Sequence, residues 1–126
     1  MAGALSVVLL TAPVAGSASH LDAQIARTQL AQRLGTGEAP VIVDVRTREE
    51  FQAGHVPGAV NVPVQELQGR LSELRPYRNT ELVVYCEAGP RAVYAGHMLA
   101  QQGFTEVRIL DGHMGAWREA GLPTEK

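Results

Sequence analysis

Residues 81–100 read ELVVYCEAGPRAVYAGHMLA, and this stretch contains a strand, a loop and a helix in succession. ELVVYC is a short apolar run rich in β-branched and aromatic residues without polar alternation, which predicts a strand covered on both faces over 81–86. From Arg91 to Gln102, the residues Ala92, Ala95, Gly96 and Leu99 fall at i, i+3, i+4 and i+7. That spacing predicts a helix whose narrow small-residue face lies close against a sheet. Between them, Cys86 to Arg91 leaves the strand, turns at Gly89 and starts the helix at Pro90, where a preset φ is well tolerated. A doubly covered strand feeding directly into a packed helix belongs to a parallel sheet.

The same alternation extends outward in both directions. Upstream, VIVDV at 41–45 is a second buried strand, preceded by a short helix over Thr28–Leu34 with Gly35 as its expected cap. Thr47 is placed to cap a brief helix through Phe51, and GHVPGAVNVP at 54–63 then forces an irregular turn into a short strand at Ala59–Val62. Val64, Leu67, Leu71 and Leu74 share one face of an expected amphipathic helix that stops before Pro76. Downstream, EVRIL at 106–110 is a third strand, followed by a short terminal helix in which Trp117 serves as a packing anchor. The expected fold is an α/β sandwich with a mostly parallel central sheet flanked by helices.

Composition limits the function. The chain has 126 residues, 45% of them hydrophobic, enough for one α/β core. Eleven Lys and Arg face 13 Asp and Glu, so no basic field exists to hold a nucleic-acid backbone. A single cysteine excludes an internal disulfide and a multi-cysteine zinc site, and four histidines without paired spacing do not make a metal site; no cofactor is expected. Residues 4–16 carry no charge and lead into GSAS. They are expected to form a signal peptide cleaved after Ala18, or else a disordered or strand-like N-terminal extension over 1–18, with the domain over 19–126. Export to the periplasm or cell exterior follows from the first alternative, a cytoplasmic location from the second. Pro13 and the shortness of the run argue against a membrane span, and no membrane partner is expected after processing.

Chemistry concentrates at Cys86. It sits at the end of a strand expected to expose it, ahead of a helix start, with Gly89 to let the backbone curl and Arg91 as a nearby cation. Inward amides and a helix N-terminus lower a thiol pKa, and each unit is worth about 1.4 kcal/mol, so two units make thiolate the major form. Such a site needs no adjacent histidine. Asp44 and Arg46 are expected to be structural ion-pair partners, with Glu50 or Arg48. His55 reads as a hydrogen-bonded scaffold residue and His97 as a surface or partly buried one. His113 is placed to approach the loop as a supporting group.

Three segments in order are similar to the rhodanese homology family across most of residues 25–123. VIVDVRTREEFQAGHVPGAVNVP at 41–63 resembles its Asp-Val-Arg and Gly-His-x-Pro-Gly-Ala-x-Asn signature, YCEAGPR at 85–91 its Cys-x-x-Gly-x-Arg loop, and LDGHMGAWREAGLP at 110–123 its closing Trp-containing segment. The resemblance implies a rhodanese-like three-layer sandwich and a sulfurtransferase. In it Cys86 carries a persulfide, cradled by Glu87, Ala88, Gly89, Pro90 and Arg91. The implied donor is a small sulfur-containing anion, thiosulfate or a persulfide; the acceptor is cyanide, a thiol or a protein. A persulfide carrier serving a specific protein partner is the alternative. Related phosphatases and arsenate reductases are disfavoured, because their loops hold five residues between Cys and Arg, whereas four intervene here. Three residues depart from the family pattern: Pro90 removes a loop N–H, Glu87 puts a carboxylate beside the bound anion, and His113 stands where a second glycine is usual.

Overall fold

The computed structural model of the protein describes Gly3 and residues 23–126. The expectations for a signal peptide or extension over 1–18 lie outside the described residues. Among the described residues, five strands form one parallel sheet in the order β1-β5-β4-β2-β3: β1 is Gln24–Ile25, β2 Val41–Asp44, β3 Val60–Asn61, β4 Leu82–Tyr85 and β5 Val107–Leu110. The helices are α1 (Arg27–Thr36), α2 (Arg48–Ala53), α3 (Leu71–Leu74), α4 (Pro90–Gln101) and α5 (His113–Glu119). No helix among the described residues is long and apolar enough to cross a membrane.

Side chains of a strand alternate between faces, and β4 feeds both layers of the core. Leu82, Val84 and Cys86 join Val43, Val45, Leu71, Leu74, Ala92, Ala95 and Leu99 on the side of α3 and α4. Val83 and Tyr85 join Ile25, Leu30, Ile42, Met114 and Trp117 on the side of α1 and α5. The small-residue face of α4 is buried as its spacing requires, at Ala92, Ala95, Gly96 and Leu99. Trp117 is fully buried and its indole N–H donates to the Pro123 carbonyl at 2.7 Å.

Two expected elements differ. The amphipathic segment over Val64–Leu74 is not one helix but two 3₁₀ turns, Val64–Glu66 and Gln68–Arg70, followed by α3. Gly69 in its middle weakens helix propagation, and burial of Leu67, Leu71 and Leu74 holds the broken path in place. The cap of α1 is Gly37, at φ 77°, rather than Gly35, so the helix runs on to Thr36. β1 has no counterpart in the sequence reading.

The chain places β3 on one side of β2 and then returns to place β4 on the other. The carboxyl ends of β2 and β4 therefore flank a topological switch point, where open α/β sheets leave a crevice for chemistry. Asp44 and Cys86 both sit there.

Candidate active site

Period-two alternation turns Cys86 toward α4, and the loop that follows curls back over it. Gly89 makes this possible by adopting φ 138°, closed to residues bearing a Cβ, as the N-cap of α4. Its N–H donates to Cys86 Sγ at 3.0 Å. Cys86 is consequently 1% exposed, which corrects the expectation of an exposed thiol at the strand end. The sulfur nevertheless faces polar hydrogens. Burial alone pushes the Cys86 thiol up, but the His113 ring and the amides of Ala92, Gly89 and Ala88 outweigh it and bring it down to about 7. Pro90 takes N1 of α4, so the N–H it lacks is one the helix would leave unpaired in any case.

The loop is fastened to α5 from the other side. Met114 and Gly115 N–H groups donate to the carbonyls of Cys86 and Glu87 at 2.9 and 3.1 Å. The Glu87 carboxylate accepts from Arg118 at 3.0 and 3.1 Å and from Arg46 at 3.4 Å. Those cations compensate the negative charge that Glu87 brings to the loop. Ala88 and Pro90 are exposed on the loop's outer surface.

Arg91 does not stand free over the sulfur. Glu50 clasps its guanidinium with bonds of 2.6 and 3.0 Å. The same carboxylate closes the capping box of α2 by accepting from Thr47 N–H, while the Glu50 N–H donates to Thr47 Oγ1. The Arg91 hydrogen bonds hold the Glu50 carboxyl down at about 2 against the opposing effect of burial. Because the folded value is depressed, this pair stabilises the protein fully above pH about 4.5, and the stabilisation is lost as pH falls through about 2. Both side chains are about a third exposed, at 33% and 32%, so screening reduces its worth. Glu50→Gln, which keeps the cap, is expected to cost about 1 kcal/mol at neutral pH. Urea titrations of both proteins are expected to draw together as pH falls and to converge only below pH about 2.

Asp44 and Arg46 pair with each other rather than with Glu50 or Arg48. The two are 0% and 1% exposed, and Arg46 reaches Asp44 with Nη2 at 2.7 Å and Nε at 3.0 and 3.1 Å. Arg46 also donates to the Gly54 carbonyl at 2.8 Å. A residue two positions on in the irregular strand end reaches its partner directly, which a view of charges facing a neighbouring helix misses. Asn61 ties down this strand end by donating to the carbonyls of Asp44 and Arg46 at 3.0 and 2.9 Å.

His113 is brought to the sulfur from 27 residues away. Its Nδ1 lies 3.2 Å from the Cys86 amide nitrogen and 3.9 Å from Sγ, within reach of both. His55 is held elsewhere, its Nδ1 2.9 Å from the Phe51 carbonyl and its ring stacked on Phe51 at 3.6 Å. His97 is exposed on α4. Two contributors lay beyond the sequence reading: the Ala92 amide and Glu50 as the partner of Arg91. The Thr47-x-x-Glu50 pattern signals the cap of α2 but not the pairing of Glu50 with Arg91.

Residues 26–120 match the family model of the rhodanese-like domain. The chain is 43% identical over 122 residues to a helix-turn-helix-type transcriptional regulator of Mycobacterium tuberculosis, an alignment covering 95% of this chain and 51% of the regulator. The chain thus spans about half the length of that relative. It is 33% identical over 84 residues to a thiosulfate sulfurtransferase of Escherichia coli, covering 67% of this chain and 77% of the relative. Among solved structures, a rhodanese-related protein of Thermoplasma volcanium superposes with a TM-score of 0.72 at 26% identity, over 82% of this chain and 97% of the other.

Proposed function

The chain belongs to the rhodanese-like domain family, and on that premise we propose that it is a sulfurtransferase moving sulfane sulfur from thiosulfate or a persulfide donor to cyanide or a thiol through a persulfide on Cys86. The observation that supports this most is the amide-lined loop directed at Sγ, with Gly89 N–H at 3.0 Å. An anionic sulfur is both the nucleophile of the first step and the leaving group of the second.

In the first step the Cys86 thiolate attacks the outer sulfur of thiosulfate. The new Sγ–S bond forms as the donor's S–S bond breaks, and sulfite departs with the electron pair. In the second, a nucleophile takes the outer sulfur and Cys86 receives the pair as thiolate. Ala88, Gly89 and Ala92 amides stabilise that charge in both steps without reorganising. Glu87 and Pro90 shape the loop, and Arg91 adds a field tempered by Glu50. The reading is tested by intact mass after incubation with thiosulfate. A gain of one sulfur atom, reversed by cyanide and absent from Cys86→Ala, supports it; an unchanged mass in the wild type overturns it.

A persulfide carrier that serves one protein partner is the second reading. The similarity to half of a transcriptional regulator favours it, since the corresponding half of that relative is joined to other sequence. Such a carrier would load with sulfur in a single turnover yet release it to small acceptors far more slowly than it loads.

A further inference from the structure

Among the described residues, His113 is the one non-glycine with a positive φ, at 56°. It opens α5 beside Gly112, a place where glycine would sit without strain. Strain of this kind persists where the surroundings use the residue. The ring is 8% exposed and packs over the active loop: a Cβ built on Gly89 would meet His113 Nε2 at 3.3 Å. Nδ1 serves two partners in turn: beside the ionised thiol it carries a proton directed at Sγ, 3.9 Å away, and once Sγ is bonded to a second sulfur and uncharged it accepts the Cys86 N–H, 3.2 Å away, with the ring proton on Nε2. Other bases around the loop are engaged: Glu87 by Arg118 and Arg46, Glu50 by Arg91. Asp111, two residues before His113, lies 3.8 Å from Arg27.

Resting on the sulfur-transfer reading above, we propose that His113 takes the proton a thiol acceptor must shed as it draws sulfur off Cys86. Thiosulfate brings no proton to the first step. A thiol does, and with a pKa near 8.5 it arrives at neutral pH only a few per cent ionised. In the proposed step the acceptor's S–H bond breaks and the proton passes to His113 Nδ1, directly or through one water. The acceptor sulfur bonds to the outer sulfur, the Sγ–S bond breaks, and its electron pair stays on Cys86 as thiolate. One proton and one negative charge are thereby generated side by side. The imidazolium gives up the Cys86 N–H bond and gains the new thiolate, whose sulfur is 3.9 Å away.

The test compares wild type with His113→Asn and His113→Gly. Both replacements tolerate a positive φ, and asparagine keeps an acceptor for the Cys86 N–H while removing the base. Each protein is loaded with thiosulfate, freed of donor, and mixed at pH 7 with free cysteine or with an electron-poor aryl thiol that is already a thiolate. Loss of the extra sulfur is timed by intact mass. Pre-ionisation is worth at most about thirtyfold for a thiol of pKa near 8.5. Discharge to the alkyl thiol is therefore expected to fall about tenfold more than discharge to the aryl thiolate, in both variants. Equal losses with both thiols, wild-type discharge by His113→Asn, or variants that fail to load would each overturn the proposal while leaving the sulfur-transfer reading intact. A wild type that never gains sulfur would overturn that reading, and the proposal with it.

Discussion

Replacing Cys86 with serine is expected to lower thiocyanate formation from thiosulfate and cyanide by about three orders of magnitude or more. The hydroxyl is close in shape to the thiol and accepts the same Gly89 N–H, so the loop and the β4 end should keep their positions. What is lost is ionisation. The amides that bring the thiol down to about 7 leave a hydroxyl un-ionised at any pH the protein survives, because they begin from a far weaker acid. An oxygen nucleophile would moreover have to form an S–O bond to hold the sulfur. Colorimetric thiocyanate assays of the two proteins at equal concentration measure the effect, and comparable turnover would place the transferred sulfur elsewhere.

Asp44→Ala is expected to destabilise the fold by about 3–5 kcal/mol, a large part of what a domain of this size possesses. The reason is the arginine left behind. Arg46 is 1% exposed, and removal of its partner strands a cation that retains only the Gly54 carbonyl and a 3.4 Å contact with Glu87. Arg46 also supports Glu87 and stands 5.7 Å from the Tyr85 ring centre, so the loss spreads along both strands that carry the site. Urea-induced unfolding at neutral pH measures it. Glu73→Ala is the comparison: it breaks a solvent-facing pair with Arg70, 54% and 29% exposed, and is expected to leave the unfolding midpoint almost unchanged. Equal losses for the two variants would contradict the burial argument.

Where the sequence was informative, the cause is local. Buried parallel strands read as β-branched runs, and β2, β4 and β5 were visible for that reason. The small residues of α4 repeat at helical spacing because the helix must approach the sheet closely, and the Thr47 cap obeys a pattern only four residues long. Gln24–Ile25 escaped notice because nothing within two residues marks a strand. β1 exists through its partner, with Ile109 and Asp111 N–H groups donating to the Ala23 and Ile25 carbonyls at 3.1 and 2.9 Å. The site divides in the same way. Cys86, Gly89 and Pro90 announce a loop ahead of a helix, since each acts on its immediate neighbours. The Glu50–Arg91 clasp spans 41 positions, and the approach of His113 to Cys86 spans 27. The clasp leaves no local trace, because it depends on how α2 and α4 are laid side by side, whereas the approach of His113 was legible from the expected neighbourhood of the second and third strands and is met in the structure. Burial of the thiol belongs with the clasp: it results from the loop folding back, which the residue order permits but does not dictate.

The central claim is that loop amides and the His113 ring keep a buried sulfur anionic near neutrality. The rate of Cys86 carbamidomethylation by iodoacetamide, followed by intact mass from pH 5 to pH 10, measures it most directly. The account predicts a titration of reactivity with a midpoint at about 7. A midpoint at or above the ordinary thiol value of about 8.5, or no reaction across the range, would contradict it.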